Sequence, residues 1–466
     1  MGRAAKRAPF SCIVSVLALA FCLAAPLYAS AALSARVSET TLSNGLKVIL
    51  LENHKAPLVS FQVWYKVGSR NEAWGKTGLS HMLEHMMFKG TKNVGPGEFS
   101  RTIEQNGGDD NAFTSTDFTA YFEDLSADRV SIPVDLESDR MGGLLLTEEQ
   151  FKPERSVVME ERRLRTDDNP GAILVEQMNA AAFQVQPYHW PVIGWMQDIA
   201  RYTVEDLKEH YRTYYCPANA AVVVVGDFKK ETLLPLIEKA FGPIPGGKTP
   251  DQQRDREEPQ AGERRIVVRK EAQLATVAKA YHVPNLQERD GYALEVIEAL
   301  LSAGESSRLT RLLVREKQLA LTVAAQNDLL SRDPSLFTIS AEVMPGKTSD
   351  EVEKALAAEI ERLQRELVSP RELEKAKNQL ESAFVYSQDS LFYQGMILAT
   401  YEVVSTWKEI DRYVPGVRSV SAEDVRRAAR KYLVPANCTT GILVPIPSTN
   451  GKPAQPASPS RENIVR

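Results

Sequence analysis

Two stretches of this chain, 218 positions apart, carry the same pattern of polar and apolar positions. Residues 203–219 and 421–437 align without gaps, and each begins with a hydroxyl residue and ends in Pro-Ala-Asn. A hydroxyl residue before a helical run and a proline after it predict a capped helix. An apolar, β-prone run follows each copy, at 221–225 and 439–444, and predicts a buried strand.

A weaker repeat lies upstream, where residues 55–65 resemble residues 271–281 at an offset of 216. Two nearly equal offsets indicate a duplicated unit of roughly 200 residues. Each copy starts with strands, passes through helices and returns to a strand, which is an α+β pattern. We predict a first domain at 32–242, an exposed linker rich in Pro, Gly and charge at 243–263, a second domain at 264–446, and a disordered tail at 447–466.

The first 31 residues have the pattern of a secretory signal peptide. Three basic residues precede an apolar run at 12–27, and residues 29–31 (Ala-Ser-Ala) fit the cleavage site. A retained membrane anchor is the alternative, but the run is shorter than the about 20 residues that a span needs, and Pro26 interrupts it. We therefore predict an exported protein, periplasmic or secreted, with no stable membrane span after cleavage.

Composition narrows the function classes. The chain has 466 residues, of which 43% are hydrophobic and 25% charged, with a net charge of −5. It is too apolar for a disordered protein and not basic enough for nucleic acid to be its partner. Four cysteines exclude a disulfide scaffold and a multi-cysteine zinc module. Any metal in this protein must therefore be held by histidine and carboxylate.

One segment offers such ligands. Residues 78–90 predict a helix that ends at Gly90, and His81 and His85 lie one turn apart on one face of it. Two imidazoles at that spacing can bind one divalent metal, with Glu84 beside it. H-x-x-E-H is an inverted zinc-peptidase signature, in which two histidines bind zinc and the Glu takes a proton from water. The alternative is a surface helix that happens to carry two histidines and an acid.

A third ligand must come from another element. Residues 153–164 predict a helix with Pro153 at its start. Glu154 and Glu161, at i and i+7, fall on one face, and Glu160 falls off that face. Glu161 is the better candidate for a metal ligand. Glu154 is expected to contact one of the ligand residues and not the metal itself. Either residue alone could equally be a solvated helical charge.

The motifs together resemble the M16 (pitrilysin or insulinase) family of metallopeptidases, close to its mitochondrial processing peptidase-like bacterial branch. In that family a third Glu follows H-x-x-E-H by about 76 residues, and Glu161 follows His85 by 76. The flanking segments at 107–121, 187–194 and 214–227 are also similar, and the resemblance spans roughly residues 36–446. It implies two homologous α/β-sandwich domains of the LuxS/MPP-like type, with mixed or antiparallel sheets, related by internal duplication.

The resemblance also implies a zinc-dependent endopeptidase that hydrolyses peptides or unfolded segments. The implied site residues are His81, His85 and Glu161 as Zn2+ ligands and Glu84 as general base, with Glu154 supporting them. The substrate is expected to lie along an edge strand at 112–121. In this family Asn111, Ala112 and Arg315 are the positions expected to bind the substrate.

One departure from the family pattern bears on partners. Leu321 stands where the family has a substrate-contacting Tyr, and the second copy has no H-x-x-E-H, since its equivalent at 297–301 is apolar. We favour a heterodimer in which a second M16-like subunit completes the site and this chain bears the zinc. A homodimer, a self-sufficient monomer and a weakly active or non-catalytic structural subunit are the alternatives. A metal-dependent hydrolase of other substrates is excluded only by the family resemblance.

Overall fold

The computed structural model describes residues 33–250 and 256–447. The predicted signal peptide at 1–31, residues 251–255 of the predicted linker and nearly all of the predicted tail lie outside the described residues. Within the described ranges, no helix combines the length and the apolar character needed to cross a bilayer. We call residues 33–242 the first half and residues 264–447 the second half.

A six-stranded mixed sheet forms the first half. Its strands are β1 Val37–Thr41, β2 Lys47–Glu52, β3 Leu58–Tyr65, β4 Asp109–Thr114, β5 Thr119–Ser126 and β6 Ala220–Gly226. They lie in the order β1-β2-β6-β3-β5-β4, with β2 and β6 parallel and the other neighbours antiparallel. The central strands β2, β3 and β6 are largely apolar because both faces of the sheet are covered there, and every residue of β6 is buried.

Most helices of the first half pack against one face of this sheet. The helices of this half are α1 Leu79–Met86, α2 Glu98–Gln105, α3 Ser131–Gly143, α4 Glu148–Arg162, α5 Pro170–Ala182, α6 Met196–Arg201, α7 Val204–Tyr214 and α8 Lys230–Phe241. A wider π-helical turn, Arg163–Asp167, continues α4. Single 3-10 turns are found at Leu33–Arg36, Ser69–Asn71, Ala127–Arg129, Pro187–His189 and Pro217–Asn219.

The second half repeats this plan with five strands. They are β7 Arg264–Glu271, β8 Thr276–Val283, β9 Ala320–Asn327, β10 Ser335–Val343 and β11 Cys438–Ile446, in the order β7-β11-β8-β10-β9. The helices are α9 Asp290–Ser302, α10 Ser349–Arg365, α11 Pro370–Tyr386, α12 Leu391–Val404, α13 Tyr413–Ser419 and α14 Ala422–Tyr432. A π-helical segment, Thr310–Glu316, and 3-10 turns at Trp407–Arg412 and Pro435–Asn437 accompany them. The predicted α+β architecture of two sheet-and-helix domains is confirmed.

The duplication extends to individual hydrogen bonds. Thr203 and Ser421 cap α7 and α14, and each exchanges hydrogen bonds with the acidic residue three positions later. Asn219 and Asn437 each donate from the side-chain amide to the carbonyl five residues earlier, at 2.9 and 2.8 Å. Both repeated segments therefore form the helix and the following strand that their sequences predict.

Each half contributes a helix to the sheet of the other half. α5 of the first half packs Leu174 and Met178 into a cluster with Leu443 and other residues of the second sheet. Conversely, α12 of the second half packs Leu398 into a cluster with Trp64 and other residues of the first sheet. The opposite face of each sheet is covered by helices of its own half. Each half therefore covers one face of the other half's sheet.

A buried polar network also joins the halves. The Arg70 guanidinium pairs with Asp333 of the β9–β10 loop and lies 3.4 Å from Oδ1 of Asp117, in the β4–β5 turn. The Tyr188 hydroxyl donates to Asp117 Oδ2 at 2.8 Å and accepts the Asp333 N–H at 3.1 Å. All four side chains are buried. This network fixes the β4–β5 hairpin against the second half.

The described part of the linker is held more tightly than its composition indicates. Ile244 packs against the first core, and the Glu257 carboxylate accepts the backbone N–H groups of residues 184–186 at 2.8–3.0 Å. Ile244 and Glu257 of the linker therefore both contact the first half. The boundaries at 243 and 263 stay a prediction.

Two predicted helix boundaries are wrong. α1 ends at Met86 instead of Gly90, because the chain turns after Met86 and Gly90 has a left-handed φ of 102° that cannot continue a helix. α4 begins at Glu148, so Pro153 lies inside it. The stronger start signal is Thr147, whose hydroxyl accepts a backbone N–H at 3.4 Å ahead of two acidic residues.

Candidate metal centre

The helix that carries the two histidines is oriented at its first turn. Gly78 precedes it with a left-handed φ of 87°, and a Cβ at this position would lie 2.4 Å from the Ile193 carbonyl oxygen. The partly buried carboxylate of Glu72 accepts the N–H groups of Gly78 and Ser80 at 2.6 and 2.7 Å. Burial outweighs these hydrogen bonds and raises the pKa of Glu72 to about 8. These contacts set the direction in which α1 leaves the loop.

His81 and His85 on α1 face Glu161 on α4. Oε2 of Glu161 lies 3.2 Å from Nε2 of His85 and 3.8 Å from Nε2 of His81. One donor atom from each of the three residues lies within 4.8 Å of the others. Among the described residues this is the one cluster of three metal-ligating side chains. The structure therefore brings the three predicted ligands together.

The donor set suits zinc. Zinc binds histidine nitrogen and carboxylate oxygen at about 2.0–2.2 Å, so a tetrahedral site separates neighbouring donor atoms by about 3.3 Å. The Glu161 carboxylate oxygen matches that distance to His85 Nε2, at 3.2 Å, and lies slightly farther from His81 Nε2, at 3.8 Å. Three protein ligands are the number found in catalytic zinc sites, where a fourth position stays open. His81, His85 and Glu161 could hold such an ion.

The charges in this cluster are unequally distributed. Burial, followed by the charge of His85, lowers the pKa of His81 to about 3, so this ring is neutral. Burial opposes protonation of His85 too, but hydrogen bonds to Glu154 and Glu161 outweigh it and raise the pKa to about 9. Burial likewise opposes ionisation of Glu161, yet the His85 hydrogen bond and the nearby charges lower its pKa to about 2. A divalent cation would compete with the His85 proton for this site.

Glu154 contacts the ring nitrogen of His85 that does not face Glu161. Nδ1 of His85 donates to Oε1 of Glu154 at 2.9 Å, and Lys89 Nζ lies 2.5 Å from Oε2. This hydrogen bond fixes the ring so that Nε2 faces Glu161. Burial raises the pKa of Glu154, but the His85 and Lys89 contacts outweigh it and leave the pKa lowered. Glu154 lies where the helical spacing predicts, and Glu160 is exposed and pairs with Arg163.

Glu84 lies beside the ligands and has a different partner. Its Oε2 accepts a hydrogen bond from Thr114 Oγ1, at the end of β4, at 2.6 Å. Burial raises the pKa of Glu84, and the Thr114 hydrogen bond only partly offsets this. A carboxylate with a raised pKa is suited to general-base work near neutral pH.

The strand predicted to bind the substrate differs from the structure in one respect. Residues 112–121 form a hairpin, not one strand: β4 ends at Thr114 and β5 begins at Thr119, because the Ser115 N–H bonds the Phe118 carbonyl in a tight turn. β4 is the edge strand of the first sheet and pairs with β5 on one side. Asn111 is exposed there, and its Oδ1 accepts the N–H of Ala112 at 2.9 Å. Both residues therefore lie on the edge strand of the first sheet.

Comparison with known proteins gives two family matches. Residues 47–194 match the model of insulinase (peptidase family M16), and residues 201–380 match the model of the peptidase M16 inactive domain. The zinc protease PqqE of Helicobacter pylori is 36% identical over 418 residues, covering 87% of this chain and 92% of the relative. The chain belongs to the M16 peptidase family.

Other M16 proteins agree with this assignment. The crystal structure of a protease from Helicobacter pylori superposes with a TM-score of 0.83 at 36% identity, covering 88% of this chain and 99% of that one. A probable mitochondrial-processing peptidase subunit beta of Arabidopsis thaliana is 26% identical over 87% of this chain and 78% of its own length. Family membership and relatives named as zinc proteases support a peptidase that uses zinc.

The second half lacks these ligands. Its helix α9 lies where the first half has α1, and Ile297, Leu300 and Leu301 of α9 are buried apolar residues. Arg315 lies on the π-helical segment of this half, exposed, with its guanidinium paired to Glu305. Leu321 is on β9, the edge strand of the second sheet, and is 39% exposed. The substrate-binding role of Arg315 stays a prediction.

Sequence reasoning missed four residues around this M16 site: Glu72, Lys89, Thr114 and Arg165. Arg165 follows Glu161 by four positions, and Lys89 follows His85 by four. The i,i+4 spacing on a helix is a signal that could have identified Arg165. Glu72 and Thr114 reach α1 from a loop and a strand, so no local pattern reveals them.

Proposed function

We propose that this chain is a zinc-dependent endopeptidase with its site at the meeting of α1 and α4. The observation that carries the proposal is the convergence of His81 Nε2, His85 Nε2 and Glu161 Oε2, with Glu84 beside them. These four residues have the types and spacing that an inverted zinc peptidase needs. Zinc, when bound, would supply a Lewis acid that polarises a peptide carbonyl and lowers the pKa of the attacking water.

The chain itself would move the protons. Thr114 occupies Oε2 of Glu84, which leaves Oε1 as the atom that takes a proton from the attacking water. Glu84 then passes this proton to the amine of the departing peptide. The raised pKa of Glu84 favours the first transfer, because the carboxylate takes up a proton more readily than an exposed one.

The edge strand β4 suits an extended peptide as substrate. A strand added beside β4 would pair with the main chain at Asn111 and Ala112, which lie on the strand that ends at Thr114. Main-chain pairing does not depend on side chains, so we propose a peptidase with loose sequence selectivity. Unfolded segments fit such an edge because folded substrates have no free strand to offer.

We propose further that the mature chain acts after export and with a second M16-like subunit. The N-terminal pattern at 1–31 supports export, and Leu321 in place of a hydrogen-bonding Tyr supports the need for a partner. A weakly active or non-catalytic subunit is the second candidate, favoured by the same leucine. Full cleavage activity of the purified chain alone would remove the need for a partner.

The test of the proposed function is metal analysis of the purified chain from residue 32, together with a peptide cleavage assay. We expect about one zinc per chain, as the three-ligand group found among the described residues implies. Chelation should abolish cleavage, and added zinc should restore it. A chain that binds no zinc after refilling would contradict the proposal.

Removing the Glu154 carboxylate that orients His85 should lower the zinc affinity of the site without abolishing zinc binding. In Glu154→Gln, the amide loses the negative charge that holds His85 Nδ1 and Lys89. We expect zinc affinity to fall about 10- to 100-fold, as for other residues that orient a metal ligand. Competition with a zinc-binding dye measures it. Glu148→Gln, on the same helix but exposed and paired with Lys152, is the control and should bind as wild type does. Equal affinities in both variants would refute the role of Glu154.

A further inference from the structure

The two oxygens of the Glu161 carboxylate have different partners. Oε2 faces His81 and His85, as described above. Oε1 points the other way and lies 3.0 Å from Nε of Arg165. The Glu161 side chain is 16% exposed, whereas that of Arg165 is 69% exposed. A guanidinium at the protein surface therefore holds the outer oxygen of a largely buried carboxylate.

The local backbone explains why Arg165 lies there. Three arginines follow Glu161 within four positions, and each has its own partner. Arg162 is buried, donating to Gly194 O at 3.0 Å and Asp167 Oδ1 at 3.1 Å, and it anchors the end of α4. Arg163 is exposed and pairs with Glu160. The chain widens into the π-helical turn after Arg162, where the Asp168 N–H bonds the Arg163 carbonyl at 2.8 Å, and Arg165 extends from this turn. Wide turns of this kind are frequent at functional sites.

We propose that Arg165 is a positioning residue of the metal centre, which holds Oε1 of Glu161 so that Oε2 alone faces His81 and His85. The inference rests on the proposed function. A carboxylate can bind a cation through one oxygen or through both. With Oε1 engaged by Arg165, Glu161 offers one donor atom, and a position for water and substrate is preserved.

The effect of Arg165 is on geometry and not on folding. Because the Arg165 guanidinium is exposed to solvent, its ion pair contributes little to folding stability. Losing Arg165 should therefore leave the melting temperature nearly unchanged while altering how Glu161 meets a metal. This separates a positioning role from a structural one.

The test replaces zinc with Co2+, whose visible absorption becomes weaker when its coordination number rises from four to five. In Arg165→Ala, we expect weaker Co2+ absorption, zinc affinity lowered about 10- to 100-fold, and a wild-type melting curve for the metal-free chain. Arg165→Lys, which keeps a donor and a charge, should restore part of the absorption. Arg163→Ala removes a neighbouring exposed arginine and should match wild type in every measurement.

The outcomes are distinct. If Arg165→Ala binds Co2+ and zinc with the wild-type spectrum and affinity, the inference is overturned while the proposed function stands. If Arg163→Ala changes the spectrum as much as Arg165→Ala does, the effect is one of general charge and the inference is overturned as well. If the wild-type chain binds neither metal, the proposed function itself fails.

Discussion

Glu84→Gln should lower kcat/KM for peptide cleavage about 10²- to 10⁴-fold, the range expected when a general base is lost. The amide keeps the size of Glu84 and can still accept the Thr114 hydrogen bond through its oxygen. It cannot take the proton of the attacking water. The loss corresponds to about 2.7–5.5 kcal/mol in the activation free energy.

The same variant should keep its zinc, because Glu84 is not among the three converging ligands. Metal content and cleavage, measured on one preparation, therefore separate the base from the ligands. Glu160→Gln is the control, since Glu160 is exposed, pairs with Arg163 and lies next to Glu161 in sequence. Normal cleavage by Glu84→Gln would exclude Glu84 as the base.

Arg140→Met should destabilise the first half by about 3–5 kcal/mol, the usual result of removing one partner from a buried ion pair. Arg140 on α3 is fully buried, with Nε 2.8 Å from Glu137 Oε2 and Nη2 3.4 Å from Glu123 Oε1. Its guanidinium carbon also lies 4.1 Å from the ring of Phe99 and 4.3 Å from that of Tyr121. Methionine would leave a buried carboxylate with no positive charge beside it. Urea denaturation followed by tryptophan fluorescence measures the loss.

Two further variants show whether charge is the cause. Burial, followed by the charge of Glu137, raises the pKa of Glu123 well above its usual range, which favours the protonated form of this side chain. Glu123→Gln should therefore cost much less than Arg140→Met. Arg129→Met removes an exposed arginine that donates to the Asn106 carbonyl at 2.8 Å and should be nearly neutral. Equal stability of Arg140→Met and Arg129→Met would disprove the role given to the buried pair.

The sequence predicts those parts of the molecule that depend on neighbours along the chain. The helices after Thr203 and Ser421 form as predicted because a capping hydroxyl and a run of helical residues act within one or two turns. The shared face of Glu154 and Glu161 follows from helical periodicity alone. Pro153 misled the prediction because proline is tolerated within the second turn of α4, whose start is set by Thr147.

The remaining features depend on contacts that no local pattern encodes. Glu72 reaches the first turn of α1 from a preceding loop, and Thr114 reaches Glu84 from a strand 30 positions away. The Arg70 network joins segments more than 200 positions apart. Such contacts follow from how the sheets pack, and packing is decided by the whole set of apolar faces and not by any one segment.

The exchange of α5 and α12 between the two sheets has a consequence for how the chain can be divided. Without α12, the first sheet would expose the face around Trp64 to water, and without α5 the second sheet would expose the face around Leu443. Neither half is therefore an independent folding unit. A backbone cut between them would leave two fragments bound as a non-covalent complex, and two genes encoding the separate pieces would have to be co-expressed to give soluble protein.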